Sequence, residues 1–231
     1  MASVAAEPLA RARLAMIESQ LMPCGIVDHR LVEAFRRVPR EAFVTSGRQS
    51  MAYAETVQPM GAGRWMPTPL ATARLLAAAD VPEGASVLLV GAGTGYTAAL
   101  LAELGARVVA LESEPTLAAR ARSLLGAWPN VSVAEGPLPQ GWPEAAPYDR
   151  VLFDGAVEHV PDAIAGQLAP AGRVAAILAG QDGVHRVARG VAVRPEASDP
   201  EGARPYISWD YVAECPAPIL PGFTLPRTFR F

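Results

Sequence analysis

A glycine-rich turn constrains the fold of this chain more than any other feature. Residues 87–90 are four consecutive apolar residues that lead into VGAGTGY, residues 90–96, with glycine at positions 91, 93 and 95. Glycine lets the backbone turn sharply off a strand and approach a ligand closely. An apolar helical pattern follows at once, and the first turn of a helix offers free N–H groups. We expect a strand–loop–helix unit that holds a ligand, although a tight turn without a ligand has the same spacing.

Alternating apolar segments extend this unit into an α/β fold. After residue 84, strand patterns alternate with helical patterns, which is typical of a doubly wound, mostly parallel sheet with helices on both faces. The predicted strands are 86–90, 107–112, 130–134, 149–153 and 172–179, and the predicted helices are 95–104, 115–126 and 161–168. After residue 183 the pattern changes to two alternating strands, 184–193 and 206–214, which a proline-rich tail follows.

The N-terminal part of the chain has the pattern of a helical extension. Helical spacing predicts helices at 8–22, 29–37 and 69–79, with Asp28 and Thr68 as N-caps of the second and third. The stretch 44–68 is turn-rich and is predicted to be irregular. We place the one soft boundary near residue 80. Residues 1–80 then form the extension, residues 81–231 form the Rossmann-like core with its C-terminal strands, and we expect one compact unit.

Composition excludes several classes of function. The formal net charge of −3 provides no excess of positive charge for binding nucleic acid. No run approaches the roughly 18 apolar residues of a membrane span, and the N-terminus lacks the unbroken apolar core of a signal peptide. We therefore expect a soluble cytoplasmic protein. Cys24 and Cys215 are expected to be reduced, and the histidines show no metal-ligand spacing. The oligomeric state stays open.

The glycine spacing indicates which ligand the loop binds. The pattern is G-x-G-x-G, and Tyr96 stands where a dinucleotide fold needs a glycine or alanine for close helix–strand packing. This argues against NAD and a nicotinamide oxidoreductase. Glu112 ends the next predicted strand, where its carboxylate would reach the ribose hydroxyls of an adenosine ligand. The combination is typical of S-adenosylmethionine enzymes.

Several segments of the chain resemble one known family. They are QLMPCGIVDHRLVEAFRRVPREAFV (20–44), AYAETVQPMG (52–61), VGAGTGYTAALLAELG (90–105), GWPEAAPYD (141–149) and QLAPAGRV (167–174). They are similar to segments of the protein-L-isoaspartate O-methyltransferases. The resemblance implies a Rossmann-like methyltransferase fold, S-adenosylmethionine as donor, S-adenosylhomocysteine as product, and a peptide or protein substrate. In the family the acceptor is the α-carboxylate of an isoaspartyl residue, whose ester cyclises to a succinimide that can reopen as aspartate.

The resemblance assigns the donor site to the glycine loop and to residues that follow the next two strands. The predicted donor-binding residues are Gly91, Ala92, Gly93, Thr94, Gly95, Tyr96, Glu112, Ser113, Pro137 and Leu138. Two positions depart from the family pattern. Leu89 stands where the family usually has an acid, and Pro137 stands where an aspartate faces the adenine amino group. Pro137 retains only its backbone carbonyl for that hydrogen bond, and Glu135 is the nearest remaining carboxylate.

The acceptor-site segment departs further from the family pattern. Where the family reads roughly G.GQTISQP, this chain reads GAGRWMPTP, residues 61–69. Arg64 and Trp65 replace the Gln-Thr pair, and Pro67 replaces the serine. An arginine there would clamp the acceptor carboxylate in a fork, and the tryptophan would wall the site or stack on the substrate. A solvated arginine and a tryptophan in a core or lid contact are the alternatives. The predicted substrate-binding residues are Met60, Arg64, Trp65, Met66 and Pro67.

Three residues are candidates for contact with the reacting carboxylate, namely Arg64, Thr68 and Asp154. Thr68 has a hydroxyl one position after the family's serine, but capping of the helix at 69–79 is an alternative role. Asp154 ends the fourth core strand, and strand ends face the ligand crevice in such sheets. Two other functions stay open. One is methylation of a different carboxylate or small acid, and the other is a catalytically silent fold that binds a peptide or protein partner.

Overall fold

The structure of the chain is a computed structural model that describes residues 6–193 and 206–226. The last five residues of the predicted tail, 227–231, lie outside the described residues. The α-helices are α1 Ala6–Met16, α2 His29–Arg37, α3 Pro69–Ala79, α4 Tyr96–Glu103, α5 Pro115–Leu124 and α6 Asp162–Ala165. The strands are β1 Gln58–Gly61, β2 Arg64–Met66, β3 Ser86–Val90, β4 Arg107–Glu112, β5 Val131–Glu135, β6 Tyr148–Val157, β7 Leu168–Ala179, β8 His185–Val193 and β9 Tyr206–Glu214.

Seven strands form the central sheet in the order β5-β4-β3-β6-β7-β8-β9. The first five in this order run parallel, and β8 and β9 are antiparallel at one edge. This confirms the predicted α/β fold with a mostly parallel, doubly wound sheet. Val90 pairs with Leu111 of β4 and with Phe153 of β6. The carboxyl ends of β3 and β4 therefore lie side by side, level with Phe153 inside β6.

Two hydrophobic cores flank the sheet. One contains Val87 and Leu89 of β3 and packs residues of α1 to α5 against that face. The other contains Leu88 and Val90, and it is covered by α6, a 3-10 turn and C-terminal residues near Phe223. Among the described residues, the second face thus carries one short helix together with irregular segments. The prediction of a helix over 161–168 is wrong in length, because α6 spans a single turn.

Strand pairing explains this shortened helix. β7 begins at Leu168, which already pairs with β6, so the chain has to enter the sheet directly after α6. β6 also continues to Val157, past the predicted 149–153, because Ala156 pairs with Ile177 of β7. The extended end of β6 brings additional residues to the edge of the sheet where the glycine loop lies.

The first predicted helix is less regular than its apolar pattern indicates. The α-helix ends at Met16, whereas the pattern predicts one helix over 8–22. The chain continues as a π-helical turn and a 3-10 turn that ends at Cys24. Pro23 has no N–H to continue the helical hydrogen bonds. Gly25 then closes the segment in the left-handed region, with φ of 85°, which glycine adopts without a steric cost.

The segment predicted to be irregular contains a small hairpin that positions the site. β1 and β2 pair antiparallel, with Gln58 opposite Met66, and the connecting residues Ala62 and Gly63 are exposed. Side chains of this hairpin alternate between buried and exposed positions. By contrast, α2, α3 and β9 have the predicted bounds, and Asp28 caps α2 as predicted.

Candidate active site

Main-chain hydrogen bonds to β4 hold the start of the glycine loop where it leaves β3. The N–H groups of Gly91 and Ala92 donate to the carbonyl oxygen of Leu111 at 2.9 and 3.0 Å. Gly93 and Gly95 have φ of 57° and 97°, in the region that favours glycine. This backbone turns directly into α4. The predicted strand–loop–helix unit is therefore present, and it lies at the carboxyl end of the parallel sheet, where such sheets bind ligands.

A buried carboxylate at the end of β4 joins the loop. The side chain of Glu112 has no exposed surface. Its Oε2 accepts a hydrogen bond from the N–H of Gly93 at 2.8 Å, and its Oε1 accepts from the N–H groups of Ser113 and Glu114 at 2.9 and 3.0 Å. Glu112 is thus held beside the loop, at the position predicted for a ribose-binding acid. Ser113 contributes its backbone N–H to this arrangement, and its hydroxyl makes a longer hydrogen bond to Oε1 at 3.5 Å.

Arg64 lies inside the site and pairs with this carboxylate. Its Nη1 is 2.6 Å from Oε1 of Glu112, and its Nη2 donates to the carbonyl oxygen of Gly91 at 3.1 Å. The side chain is 6% exposed. The alternative of a solvated surface arginine is therefore wrong. The two guanidinium nitrogens donate to Glu112 and to the glycine loop, and the predicted clamp on an acceptor carboxylate stays a prediction.

Two apolar side chains fill the space above the glycine loop. A Cβ built on Gly93 would be 2.6 Å from Sδ of Met60, and one built on Gly91 would be 2.8 Å from Cδ2 of Leu220. Leu220 makes the same close approach to Gly155, at 2.8 Å. The glycines therefore admit side chains of this chain as closely as they would admit a ligand. Met60, a predicted substrate-binding residue, contacts the donor loop itself.

The C-terminal segment that carries Leu220 is attached to β6 by its main chain. The N–H of Ala156 donates to the carbonyl oxygen of Pro218, and the N–H of Leu220 donates back to Ala156, both at 2.8 Å. The N–H of Glu158 donates to Phe223 at 3.0 Å. The tail therefore covers the site, at least over its described residues. Its sequence lacks any periodic pattern, so no signal in it could have identified Leu220 as a site residue.

The remaining hairpin residues divide between solvent and core. Trp65 is 43% exposed, whereas Met66 and Pro67 are buried. The carbonyl oxygen of Pro67 accepts from Nη2 of Arg40 at 2.5 Å. Arg40 is fully buried, its Nε donates to Ala52, and its Nη1 has no hydrogen-bond partner in the structure. The sequence analysis assigned no role to Arg40, and its place inside the motif VPREAFV was the available signal.

Thr68 caps helix α3, which is the alternative role given for it above. Its Oγ1 accepts a hydrogen bond from the N–H of Ala71 at 3.2 Å, which makes it the N-cap of α3. Pro69 occupies the first helical position, where its missing N–H costs nothing. The hydroxyl is therefore engaged in helix capping, and the structure gives it no contact with the arginine or the carboxylates of the site.

Asp154 is the second buried carboxylate of the site. It is 5% exposed and accepts a hydrogen bond from the hydroxyl of Thr97 on α4 at 2.9 Å. Burial raises the pKa of Asp154 to about 6, although the Thr97 hydrogen bond and the charges of Arg64 and Arg40 act in the opposite direction. The structure thus brings Asp154 near the arginine and Glu112, level with the carboxyl end of β3, because the adjacent Phe153 pairs with Val90. The prediction that Asp154 ends its own strand is wrong, because β6 continues to Val157.

Four of the residues predicted to bind the methyl donor have their side chains in the hydrophobic cores, in a hydrogen bond to a neighbouring segment or at the surface. Tyr96 is 1% exposed, and its ring packs on Phe43 with a centroid separation of 5.6 Å. The hydroxyl of Thr94 donates to the carbonyl oxygen of Phe43 at 2.8 Å. Leu138 is buried in the second core, and Pro137 is exposed with its carbonyl accepting from the N–H of Gln140. Only their backbones can face a donor without rearrangement.

Glu135, the alternative carboxylate near the adenine position, lies at the surface. It is 40% exposed and pairs with Arg122 of α5 at 3.2 Å. This is a solvated strand end, because the pair is open to water on both sides. The surface position of Glu135 leaves Glu112 as the buried carboxylate at this edge of the sheet.

A cavity of about 1340 Å³ lies beside the covered loop. Ile219 lines this cavity while its neighbour Leu220 contacts Gly91, so the C-terminal segment stands between the two. Its walls combine aromatic, imidazole and carboxylate groups: Glu158, His159, His185, Trp209 and Tyr211. Nδ1 of His159 is buried and has no hydrogen-bond partner in the structure. The cavity therefore offers both apolar surface and polar groups to a second ligand.

Other features of the described residues are quickly stated. They contain no group of three or more His, Cys, Asp or Glu side chains suited to a metal ion. Within residues 6–193 and 206–226, none of the helices has the length and apolar character needed to cross a membrane. Cys24 is exposed, Cys215 is buried, and both are free thiols. The cytoplasmic location and the absence of nucleic-acid and membrane partners stay predictions.

The fold and the loop define the class of protein. A glycine loop at the end of β3 and a buried carboxylate at the end of β4 suit the ribose of an adenosine compound. The residues present fit S-adenosylmethionine in this respect, since the loop presents its backbone and Glu112 is anchored beside it. Met60, Arg64 and Leu220 adjoin the same groups. The architecture is that of an S-adenosylmethionine-dependent methyltransferase.

Comparisons with known proteins agree with this class. The family model described as protein-L-isoaspartate(D-aspartate) O-methyltransferase matches residues 12–189. A protein-L-isoaspartate O-methyltransferase of Methylorubrum populi is 44% identical over 164 residues, which cover 71% of this chain and 77% of that protein. The enzyme of the same name from Synechococcus sp. is 41% identical over 170 residues, which cover 73% of this chain and 70% of that protein.

Solved structures agree on the fold. A protein-L-isoaspartate O-methyltransferase aligns with a TM-score of 0.73 at 23% identity, covering 92% of this chain and 65% of that one. A putative enzyme of this kind from Plasmodium falciparum, in complex with S-adenosyl-L-homocysteine, aligns with a TM-score of 0.68 at 15% identity and covers 92% and 97%. At these identities the structures support the fold alone.

The chain belongs to the protein-L-isoaspartate(D-aspartate) O-methyltransferase family, because the family model matches most of its length. The resemblance found in the motifs is thereby confirmed. The chain is a methyltransferase, and its cofactor is S-adenosylmethionine. The roles of individual site residues stay predictions.

Proposed function

We propose that the chain methylates the α-carboxylate of isoaspartyl residues in peptides or proteins, with S-adenosylmethionine as donor. The observation that carries this proposal is the buried carboxylate of Glu112, tied to the N–H of Gly93 in the glycine loop. It anchors a carboxylate at the position where an adenosine ligand needs one for its ribose. The names of the relatives, at 36–44% identity, support the isoaspartyl acceptor.

The chemistry asks little of the side chains beyond binding. The donor, when bound, supplies a methyl group on a positively charged sulfonium sulfur. An acceptor carboxylate oxygen forms the new O–CH₃ bond as the S–CH₃ bond breaks, and the electron pair of that bond stays on sulfur. The products are a methyl ester and S-adenosylhomocysteine. Because an ionised carboxylate has no proton to lose, the chain has to orient the partners and exclude water, and it needs no general base.

Residues of the hairpin and of the C-terminal segment would exclude that water. Met60 and Leu220 are buried against the loop, and Trp65 lies on the outer side of the hairpin with 43% of its surface exposed. A tryptophan at the rim of the site can cover a bound peptide. This role for Trp65 is part of the proposal, and Met66 and Pro67 would act through the hairpin core.

The size of the neighbouring cavity supports a peptide acceptor. Its volume of about 1340 Å³ exceeds the roughly 300–1,000 Å³ typical of pockets for small ligands. Aromatic side chains such as Trp209 and Tyr211 suit the backbone and side chains of an extended peptide. A small free acid would leave most of this cavity unfilled, so the proposal favours the peptide over the small-acid alternative.

A catalytically silent relative is the second candidate function. The observation in its favour is the Arg64–Glu112 ion pair, which uses the carboxylate that a donor requires. Leu89 and Pro137, where the family has acids, fit the same interpretation. In that case the cavity beside Ile219 would bind a peptide or protein partner without methyl transfer. Donor binding distinguishes this candidate from the enzyme.

The test compares two peptides of identical composition. One carries an isoaspartyl residue and the other carries aspartate at the same position. The chain is incubated with S-adenosylmethionine labelled in its methyl group, and base-labile methyl ester is counted. We expect label on the isoaspartyl peptide alone, because the α-carboxylate is a free side group only there. Equal labelling of both peptides would point to a different carboxylate acceptor.

A calorimetric titration with S-adenosylhomocysteine accompanies the transfer assay. Binding together with selective ester formation supports the proposal. Binding without ester on either peptide contradicts the isoaspartyl acceptor but leaves the donor site in place. A complete lack of binding at millimolar ligand contradicts both and supports the silent relative.

A further inference from the structure

The hydrogen bonds of Glu112 leave too few acceptor sites for both hydroxyls of a ribose. A carboxylate has about four lone-pair sites, about two on each oxygen. Oε1 already accepts from the N–H groups of Ser113 and Glu114 and from Nη1 of Arg64, with distances of 2.6 to 3.0 Å, whereas Oε2 accepts only from the N–H of Gly93 at 2.8 Å. Two ribose hydroxyls can therefore bind the two oxygens of Glu112 together only if a donor leaves Oε1.

Arg64 is the donor that can leave. The three backbone N–H groups belong to the glycine loop and to the turn after β4, and both are fixed by the sheet. Arg64 reaches Glu112 from the short hairpin, whose connecting residues are exposed. Hairpin side chains can change position without breaking the central sheet. Replacement of the Arg64 bond by ribose hydroxyls is thus the exchange that disturbs the fold least.

A displaced guanidinium needs another anion. Arg64 is 6% exposed, and an unpaired charge at such a site is strongly unfavourable. The donor adds no net negative charge, because its sulfonium and amino groups outweigh its single carboxylate. The acceptor carboxylate is the anion that arrives next, and an arginine fork fits a carboxylate with two parallel hydrogen bonds.

We propose that Arg64 is an exchangeable counter-ion that pairs with Glu112 before the donor binds and with the acceptor carboxylate afterwards. The part of this proposal that concerns the acceptor carboxylate rests on the proposed function. Arg64 is in this sense a positioning residue for both ligands. The consequence is thermodynamic coupling: donor binding releases Arg64 for the acceptor, and the acceptor removes the competitor for Glu112.

Asp154 is the competing partner for a released Arg64. It is buried in the same region, and the charge of Arg64 acts on it. Asp154 already holds the hydroxyl of Thr97. Pairing of Arg64 with Asp154 would satisfy the charge without an acceptor, and donor and acceptor binding would then be independent. If donor and acceptor binding are coupled, the partner of the released Arg64 is the acceptor carboxylate. If they are independent, the partner is Asp154.

The test measures binding of S-adenosylhomocysteine by calorimetry, so that no turnover occurs. Arg64→Gln introduces the residue that the family pattern has at this position. We expect this variant to bind S-adenosylhomocysteine about tenfold more tightly than the wild-type chain, within the usual range of coupling between sites. Arg107→Gln is the matched control, because Arg107 is exposed at the opposite end of β4 and the charge change is identical. We expect the control to bind as the wild type does.

The second arm repeats the titration with saturating isoaspartyl peptide. In the wild-type chain the peptide should tighten S-adenosylhomocysteine about tenfold, and the same peptide with its α-carboxylate converted to an amide should not. In Arg64→Gln the peptide should have no such effect. The fluorescence of Trp65, next to the exchanging side chain, should change on ligand binding in the wild-type chain.

Two results would overturn the proposal. Unchanged or weaker binding of S-adenosylhomocysteine to Arg64→Gln would show that Arg64 supports the donor. Tighter binding to the variant, with no coupling to the peptide in a wild-type chain that methylates it, would overturn the acceptor half. If neither peptide is methylated but Arg64→Gln binds more tightly, the exchange at Glu112 stands and the proposed acceptor fails.

Discussion

Two regions meet at the site. The strand-end region consists of residues 90–96, Glu112 and Asp154, and the covering region consists of residues 58–66 and 217–225. In the first, main-chain bonds between neighbouring strands set each position, as in the two N–H groups that donate to Leu111. In the second, side chains of the hairpin and the tail reach across to the loop.

The difference separates a fixed part of the site from a movable part. Parallel pairing fixes the ends of β3 and β4 relative to one another and joins Phe153, next to Asp154, to Val90, so we expect Glu112 and Asp154 to keep their places when a ligand binds. In the covering region, β1 and β2 pair with each other, and the C-terminal segment bonds to the end of β6. Such peripheral regions open at lower free energy than a central sheet does. Ligand entry is therefore expected to move Met60, Arg64 and Leu220 and to leave the strand ends unchanged.

Removal of Glu112 should give the largest effect, because this residue joins the two regions. Glu112→Ala leaves Arg64 buried without its partner and frees three backbone N–H groups. We expect a loss of about 3–5 kcal/mol in the free energy of unfolding, the scale for breaking a buried ion pair. Chemical denaturation measures the loss, and calorimetry should show that donor binding is lost as well.

The matched control is Glu135→Ala. Glu135 ends β5 and lies directly beside Glu112 in the sheet register, but it pairs with Arg122 at the surface. We expect a change of at most about 1 kcal/mol, as for other exposed ion pairs. Similar losses for the two variants would mean that the end of the sheet, rather than the contact between the two regions, accounts for the stability.

The same contrast explains what the sequence could predict. The apolar strand, the glycine spacing and the acid after the next strand place Glu112 beside Gly93, because parallel strands bring their carboxyl ends to one edge. The same rule places Asp154 at this edge, although β6 continues past it to Val157. The mostly parallel sheet and the two strands after residue 183 also agree with the pattern of the sequence, whereas the order of the strands does not follow from it.

The covering region could not be predicted in this way. The apolar residues of the covering region follow no long periodic pattern. The burial of Arg64 and its pairing with Glu112 therefore depend on tertiary packing, which no local sequence pattern encodes. One signal was available: Gln58, Met60, Arg64 and Met66 alternate with exposed or half-buried residues around a turn that contains Gly63. That pattern is typical of a hairpin. Nothing comparable marks Leu220.

Asp154 should give an intermediate effect that depends on pH. Its pKa is about 6 in the folded chain and 3.8 as the ordinary value, because burial penalises the charged form. The folded state therefore binds more protons than the unfolded state between these two values. The free energy of unfolding should fall as the pH rises from about 4 to about 6, by roughly 3 kcal/mol from this residue. Above the folded pKa the effect levels off.

Asp154→Asn isolates this contribution. The variant keeps a polar group for Thr97 but does not titrate, so its stability relative to the wild type should increase between pH 4 and pH 7. Thr97→Val should act in the opposite direction, since its hydroxyl lowers the pKa of Asp154. Parallel stability curves for wild type and Asp154→Asn would contradict the buried, ionisable carboxylate at this position.

Thr68→Ala should give the smallest effect, and it tests whether the segment that follows the hairpin of the covering region contributes a reacting group. Because Thr68 caps α3 through Ala71, we expect a loss of about 1 kcal/mol in the free energy of unfolding, and Thr68→Ser should restore it. Methyl transfer measured well below the unfolding temperature should be unchanged in both variants. A large fall in kcat for Thr68→Ala, rescued by Thr68→Ser, would instead place the hydroxyl at the acceptor carboxylate. The cap of α3, directly after the hairpin, would then take part in catalysis.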